Sequence, residues 1–282
     1  MIKKFIDYLR DVRNSQRMAL AMSKGGAMRQ ARNVDLARPQ TWEFSGFSQN
    51  GEDGILDVLR SQLNASNRYF IEIGSADGMQ NNSSWLAVAE QYEGLMIEGN
   101  RGLVEHARRM IPHHSIGVEC LHMFVGRDNV RDLKSLAFHC DPDVFSLDID
   151  GIDYYVAQAL LDGGFRPRIF VVEYNSVYGP ERRLTIPYQD DFEFGRAHST
   201  QLYYGVSVAG WRNFFAQHGY RFVTVDRKGV NAFFVDPDCF PGDFLDGIQG
   251  LAFEENRYQL SKFRCDSAKQ FALISDQPFA QI

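Results

Sequence analysis

The sequence is most constrained by the stretch FIEIGSADG, from Phe70 to Gly78, in which an apolar run containing one acid leads into a glycine-rich turn. A buried parallel strand reads as a nearly continuous apolar segment, and glycines after it let the backbone turn sharply and approach a ligand. In open α/β sheets, ligands bind at the carboxyl ends of the strands. The stretch therefore predicts a strand followed by a ligand-binding turn.

Strand and helix patterns alternate along the chain from this point, which is typical of βαβ units in a parallel sheet. Two strand patterns near the end flank the turn Asp226-Arg227-Lys228-Gly229, which predicts a hairpin. The predicted strands are 69–73, 94–98, 115–120, 144–150, 168–174, 220–225 and 231–235, and the predicted helices are 83–91, 101–110, 152–162 and 207–218. We expect a doubly wound α/β sheet, mostly parallel, that ends in an antiparallel hairpin. The irregular stretch 175–199 is long enough for a lid or substrate loop.

The predicted domain organisation is a helical arm with its linker (1–40), a main domain (41–236) and a C-terminal extension packed on that domain (237–282). The arm places Ile2, Phe5, Ile6, Leu9 and Val12 on one helical face, and Lys24-Gly25-Gly26 is expected to end the helix. Two interpretations of the arm stay open. It packs on its own domain or on a twin subunit in a homo-oligomer, or it contacts a partner or the surface of a membrane.

The net charge of -6 is unevenly distributed. Residues 1–33 carry eight Lys/Arg and two Asp, a net +6, so the remaining residues carry -12. An acidic body disfavours nucleic acid as the partner. The four cysteines are widely spaced without a C-x-x-C pair, which indicates a reducing, cytoplasmic location. The chain is not predicted to span a membrane, because no apolar run approaches the roughly 18 residues that a bilayer requires.

The predicted cofactor lacks phosphate groups, because the chain has no G-x-G-x-x-G fingerprint and no basic residues near the turn. An acid at the end of the second strand, Glu98, is placed to hold ribose hydroxyls. S-adenosylmethionine fits an acidic pocket, since it joins an adenosine to a sulfonium cation. Gln49 and Asp53, in the segment FSQNGEDG, either bind this ligand or only cap the next helix. The predicted cofactor-binding residues are Glu72, Gly74, Ser75, Asp77, Gly78, Glu98, Gln49 and Asp53.

Oxygen-bearing side chains also end the fourth and fifth strands. Alternate residues of a strand share a face, so Asp148 is expected beside Asp150, and Glu173 beside Asn175. Such a cluster is predicted to hold Mg²⁺ or Mn²⁺, to form a cation-free sugar and base site, or to cap a helix through Asp150 and Asp153. The base that removes a proton from a hydroxyl acceptor is predicted to be His198 or Asp150.

The order of the segments FSQNGEDGIL, FIEIGSADG, NNSSWLA, GLMIEGN, VFSLDIDGIDYYV and RIFVVEYN resembles the FkbM-type S-adenosylmethionine-dependent methyltransferases over residues 44–236. The resemblance implies a class I (Rossmann-like) methyltransferase fold and O-methylation of a hydroxyl on a sugar or glycoconjugate. It assigns the glycine-rich turn to Gly74–Gly78 and the ribose acid to Glu98. The strand ends also resemble the metal site of catechol-type O-methyltransferases, but those use an Asp-Asn neighbour pair where this chain has Glu173-Tyr174-Asn175. A non-catalytic glycan-binding or assembly protein with the same fold is the alternative.

Overall fold

The computed structural model describes residues 2–282, with side chains from residue 12 onward. Seven strands form the main sheet in the order β3-β2-β1-β4-β5-β8-β7. The first five of these are parallel, whereas β8 is antiparallel to both β5 and β7. The strands are β1 (Tyr69–Ile73), β2 (Glu93–Glu98), β3 (Val118–His122), β4 (Val144–Leu147), β5 (Ile169–Glu173), β7 (Arg221–Val225) and β8 (Asn231–Val235). The predicted parallel sheet with a terminal hairpin is confirmed.

Eleven α-helices are described within residues 2–282, and four of them lie between consecutive parallel strands of the main sheet. They are α1 (Ile2–Ala31), α2 (Glu52–Ser61), α3 (Ser84–Val88), α4 (Arg101–Met110), α5 (Leu133–Leu136), α6 (Asp153–Asp162), α7 (Phe194–Ala197), α8 (Val208–Gln217), α9 (Gly242–Gly247), α10 (Arg257–Phe263) and α11 (Ser267–Ala272). A small second sheet pairs β6 (Leu184–Thr185) with β9 (Ala280–Gln281) near the end of the chain.

Two hydrophobic cores cover the two faces of the sheet, because successive side chains of a strand point to opposite faces. Ile71 and Ile73 of β1 belong to one core, which contains buried residues of α6 and α8. Phe70 belongs to the other core, where α2, α3 and α4 pack. The carboxyl ends of the parallel strands meet at one edge of this sheet, where the sequence predicts the site.

Helix α1 packs on the main domain through its C-terminal half. Met18 is only 3% exposed and belongs to the same core as α2. Arg29 and Arg32 both contact the buried carboxylate of Asp57, and Arg29 also lies 2.8 Å from Glu90. The predicted apolar face over Ile2, Phe5, Ile6 and Leu9 lies outside the residues whose side chains are described. In the part of the chain that is described, no helix combines the length and apolar character needed to cross a bilayer.

The prediction that Gly25 and Gly26 end the first helix is wrong, because α1 continues to Ala31. A Cβ at Gly25 would lie 2.4 Å from the Trp85 ring and 2.8 Å from the Cα of Gly46. Gly25 therefore allows α1 to approach the domain closely. Glycine normally destabilises the interior of a helix. At Gly25 this cost is offset by the close packing of α1 on Trp85 and Gly46, which the sequence pattern does not reveal.

We expect Gly25→Ala to destabilise the protein by about 1–3 kcal/mol, because the added methyl group overlaps Trp85 and Gly46. Gly26→Ala is the matched control, since its Cβ meets no atom within 4 Å and alanine favours a helix. This control should stabilise the protein by about 0.5–1 kcal/mol. Urea unfolding measures both free energies. Equal effects of the two substitutions would show that α1 does not dock at Gly25.

Candidate active site

The glycine-rich turn follows β1 and lies against the segment that follows β4. Gly74 has a φ of +87°, and a Cβ here would lie 1.6 Å from the carbonyl oxygen of Asp148. Glycine is required because any side chain would strain the backbone and overlap that oxygen. The N–H groups of Gly74 and Ser75 donate to the carbonyl oxygen of Ile97, at 2.8 and 3.1 Å. The turn is thus held between the ends of β2 and β4.

Glu98, the last residue of β2, is fixed by backbone donors on both sides. Its Oε2 accepts a hydrogen bond from the Ala76 N–H at 3.0 Å, and its Oε1 accepts one from the Asn100 N–H at 2.7 Å. Asn100 in turn caps α4, because its side-chain oxygen accepts from the N–H groups of Gly102 and Leu103. Each carboxylate oxygen keeps a further lone pair. Glu98 can therefore accept hydrogen bonds from two hydroxyl groups of a ligand.

A cavity of about 670 Å³ opens at this edge of the sheet. Its walls come from the turn after β1, the end of β2 with the start of α4, residues 123–125 after β3 and residues 148–152 after β4. The remaining lining residues are Gln49, before α2, and Asp190, Phe192, Glu193 and Phe194, in and just after the long loop that leads into α7. This loop was predicted as a lid or substrate loop, and part of it forms one wall. The volume is within the range of ligand pockets in proteins.

Three carboxylates converge beside the cavity. Asp148, Asp150 and Glu173 each place an oxygen within 4.8 Å of the others. Asp148 and Asp150 were expected to lie together because alternate residues of a strand share a face. That reason is wrong, because β4 ends at Leu147 and both acids lie beyond it. Asp150 instead adopts a φ of +53°, and this left-handed conformation forms part of the loop that carries its carboxylate. An acidic residue with positive φ is uncommon and often marks a functional site.

Burial and mutual repulsion of the three acids favour their protonated forms. Burial is the main cause that raises the pKa of Asp148 and of Glu173, and the neighbouring carboxylates add to it. Burial, followed by the charges of Asp153 and Glu98, raises the pKa of Asp150 to about 6. Three adjacent carboxylates cannot all stay charged without a compensating proton or cation. The cluster is therefore a site for one of these two.

Two residues near the cluster have structural roles. The Asp153 carboxylate accepts hydrogen bonds from the N–H groups of Ile149 and Gly151, both at 2.9 Å, so it shapes the loop that carries Asp150. Asn175 was predicted as a metal ligand, and both polar atoms of its side chain form hydrogen bonds within the protein. Its side-chain oxygen accepts from the Val177 N–H, and its amide donates to the carbonyl oxygens of Leu202 and Tyr204.

Three of the predicted cofactor-binding residues, Gln49, Gly74 and Glu98, line the cavity. Glu72 lies in an adjoining recess, where it accepts a hydrogen bond from the Asn82 N–H at 2.9 Å. Ser75 is buried, and its carbonyl oxygen accepts from Asn81.

The remaining predicted residues are not among those that line the cavity. The Asp53 carboxylate accepts hydrogen bonds from the backbone N–H groups of residues 46–48. The Asp77 carboxylate accepts from the Met79 N–H and lies 3.4 Å from Arg17, and Gly78 packs against α4. The His198 ring lies 2.7 Å from the Thr200 hydroxyl, and this histidine is not among the residues that line the cavity.

Phe124 is one of the lining residues that the sequence analysis did not single out. Phe124 lines the cavity and is 65% exposed, and a Cβ on Gly99 would lie 3.0 Å from its ring. Phe124 comes just after a predicted strand, at the edge of the sheet where ligands bind. An aromatic residue in this position could have been predicted as part of the site. Tyr204 donates a hydrogen bond to Glu173 at 3.3 Å and accepts one from Gln259 of α10 at 3.4 Å. This second contact is between segments distant in sequence, so no local pattern shows it.

No protein-family model matches the chain, and its sequence matches no curated protein. Solved structures to which it is similar include an O-methyltransferase from Bacillus cereus in complex with SAH, at 16% identity and a TM-score of 0.43, over 78% of this chain and 89% of the other. Another is TomG, an O-methyltransferase from Streptomyces achromogenes that is involved in tomaymycin synthesis, in complex with SAM. It aligns at 18% identity and a TM-score of 0.42, over 76% of this chain and 94% of TomG. A SAM-dependent methyltransferase from Aquifex aeolicus aligns at 12% identity and a TM-score of 0.39, over 64% of this chain and 87% of the other.

Because the identities are under 25% and the TM-scores are under 0.5, these similarities do not assign an activity to this chain. The fold class rests instead on the strand order and on the antiparallel position of β8. Membership of the FkbM-type family stays a prediction from the sequence motifs.

We expect the protein without added cations to lose stability as the pH rises from about 4 to 6. The pKa of Asp150 is raised from 3.8 to about 6 on folding, so the folded state binds the proton more tightly than the unfolded chain in this window. Asp150→Asn should remove the part of this loss that Asp150 contributes, so its stability relative to the wild type should increase from pH 4 to pH 7. Urea unfolding in EDTA measures the difference. Glu193→Gln, on the same cavity but outside the cluster, is the control.

Proposed function

We propose that the protein is an S-adenosylmethionine-dependent O-methyltransferase that acts on a hydroxyl group of a sugar or glycoconjugate. The large cavity is the donor site in this proposal, and Glu98 holds the ribose hydroxyls. The acid cluster lies at the side where the methyl group is transferred. The sequence resemblance to FkbM-type methyltransferases supports the choice of a sugar hydroxyl as acceptor.

One observation carries the choice of donor. The cavity has no lysine, arginine or histidine among its lining residues, whereas Glu98, Asp148 and Asp150 all line it. Nucleotides with phosphate groups are usually held by basic side chains or by a glycine-rich phosphate fingerprint, and neither is found at this cavity. A ligand that combines an adenosine with a sulfonium cation suits such a negative cavity. This combination is S-adenosylmethionine.

We expect the wild-type protein to bind S-adenosylmethionine and Glu98→Ala to bind it about 10-fold to 100-fold more weakly, because hydrogen bonds to a charged group contribute about 1.5–3 kcal/mol. Asp77→Ala is the matched control, since this carboxylate lies near Arg17 and outside the cavity lining. Isothermal titration calorimetry measures both affinities. The proposal is abandoned if the wild type fails to bind at millimolar donor, or if both variants bind equally.

A divalent cation at the acid cluster is part of the proposal. Carboxylate oxygens are hard ligands that suit Mg²⁺ and Mn²⁺, and the spacing of the three acids permits a shared ion. Asp148, Asp150 and Glu173 would hold it. When bound, such an ion neutralises the cluster and makes an acceptor hydroxyl more acidic. A proton shared between the hydrogen-bonded Asp148 and Glu173 is the alternative.

We expect Mn²⁺ to raise the melting temperature at pH 7.5, since an ion at 100-fold its Kd stabilises a protein by about 2.7 kcal/mol. The increase should be smaller at pH 5, because the raised pKa values let protons occupy the carboxylates and compete with the ion. Glu173→Gln should abolish the increase and Glu193→Gln should keep it. An equal increase in Glu173→Gln would show that the ion binds elsewhere and would favour the shared proton.

The geometry supports Asp150 over His198 as the proton acceptor in this reaction. Asp150 lines the donor cavity and belongs to the cluster, whereas His198 contacts Thr200 and lies outside the lining. A base must come within hydrogen-bond reach of the hydroxyl from which it takes the proton.

Methyl transfer itself is tested by incubating the protein and donor with a set of sugars and oligosaccharides. Mass spectrometry should then detect products that are heavier by one methylene group. Donor binding without any methylated product would favour the alternative of a non-catalytic protein with a methyltransferase fold.

A further inference from the structure

A second, smaller recess of about 220 Å³ adjoins the large cavity. The two share four lining residues, which are Gln49, Gly74, Gln80 and Asp148. Glu98 lines only the large cavity, whereas Glu173 lines only the recess. The acid cluster therefore stands at the boundary between the two spaces. A group transferred from a donor in the large cavity to an acceptor in the recess would cross at this boundary.

The lining of the recess has an unusual composition. It contains four carboxylates, from Glu52, Glu72, Asp148 and Glu173. It also contains six carboxamides, from Gln49, Asn50, Gln80, Asn81, Asn82 and Asn231. Gly74 and Val230 complete it, so the lining includes neither a basic nor an aromatic side chain. An anionic group would be repelled in this recess and a flat ring would find no stacking partner, whereas hydroxyl and ammonium groups would find many acceptors.

These polar groups are held in place before any ligand binds. Glu52 accepts hydrogen bonds from the Asn50 N–H at 2.7 Å and from the Asn231 amide at 2.7 Å. The Asn82 amide donates to the Ser146 hydroxyl at 3.0 Å, and the Asn82 N–H donates to Glu72. Fixed polar groups lower the ordering cost when a ligand binds.

Asn231 provides an independent indication of a ligand. This residue is 3% exposed and lines the recess, and its Oδ1 has no hydrogen-bond partner in the described chain. A buried carbonyl oxygen without a partner destabilises a fold by about 1–3 kcal/mol, so such groups call for an explanation. A hydroxyl or ammonium group of a bound molecule would supply the missing donor.

We propose that the recess is the acceptor subsite and that it selects a neutral or amine-bearing polyol over an acceptor that carries a carboxylate or phosphate. This proposal rests on the proposed function. In the reaction, the acceptor oxygen forms a bond to the donor methyl carbon while the carbon–sulfur bond breaks and its electron pair stays on sulfur. The hydroxyl proton passes to a carboxylate of the acid cluster. A sulfonium cation and a neutral hydroxyl thus give a neutral thioether, a methyl ether and one proton.

The test uses the wild-type protein with saturating S-adenosylmethionine and three matched acceptors: methyl glucoside, methyl glucosaminide and methyl glucuronide. We expect kcat/KM for the neutral and amino glycosides to exceed that for the glucuronide by about tenfold or more. Comparable rates with the glucuronide overturn the proposal. Failure of all three while the donor still binds also overturns it but leaves the donor site intact. Failure to bind the donor overturns the proposed function itself.

Asn231→Ala tests the recess directly. We expect KM for the neutral glycoside to rise about tenfold, with kcat and donor affinity unchanged, because the acceptor loses a contact while Asn231 belongs neither to the lining of the large cavity nor to the acid cluster. The hydrogen bond from the Asn231 amide to Glu52 is lost as well, so the melting temperature falls in either case. A residue with a merely structural role would instead weaken donor binding and acceptor binding together. That result would remove Asn231 from the subsite, and the acceptor series on the wild type would then decide the proposal alone.

Discussion

The candidate site depends on the close approach of two backbone segments, the turn after β1 and the loop after β4. Gly74 lets the carbonyl oxygen of Asp148 occupy the space that any side chain would fill. This contact brings the glycine-rich turn beside the acid cluster, so that the proposed donor cavity and the polar recess share one boundary. Transfer between two bound molecules requires both, held at a fixed distance.

Sequence patterns predicted the sheet well because they depend on local physics. The apolar runs of buried parallel strands, and the turn residues of the hairpin, are properties of short segments. The position of Glu98 could also be predicted, because the last residue of the second strand lies at the edge of the sheet where ligands bind. The position of α1 could not be predicted in this way. The role of Gly25 is set by Trp85, sixty residues away in the chain.

Acidic residues near the turn show the limit of sequence reasoning for sites. Asp53, Asp77 and Asp153 look like Asp148 and Asp150 in the sequence, yet their carboxylates accept backbone hydrogen bonds that shape loops. Asn175 shows a second limit, in the pattern that was used to place it. The period-two pattern that paired it with Glu173 applies only within a strand, and β5 ends at Glu173. Whether a carboxylate is used by the backbone or left for a ligand depends on the loop conformation, which residue type alone does not specify.

The chain of hydrogen bonds from Gln259 through Tyr204 to Glu173 links the C-terminal extension to the acid cluster. None of the residues of α10 lines the donor cavity. Sequence changes in this extension can therefore reorient a carboxylate of the cluster while the donor pocket stays the same. Under the proposed function, evolution can therefore adjust the chemistry of transfer and the recognition of the donor separately, through parts of the chain that lie far apart in the sequence.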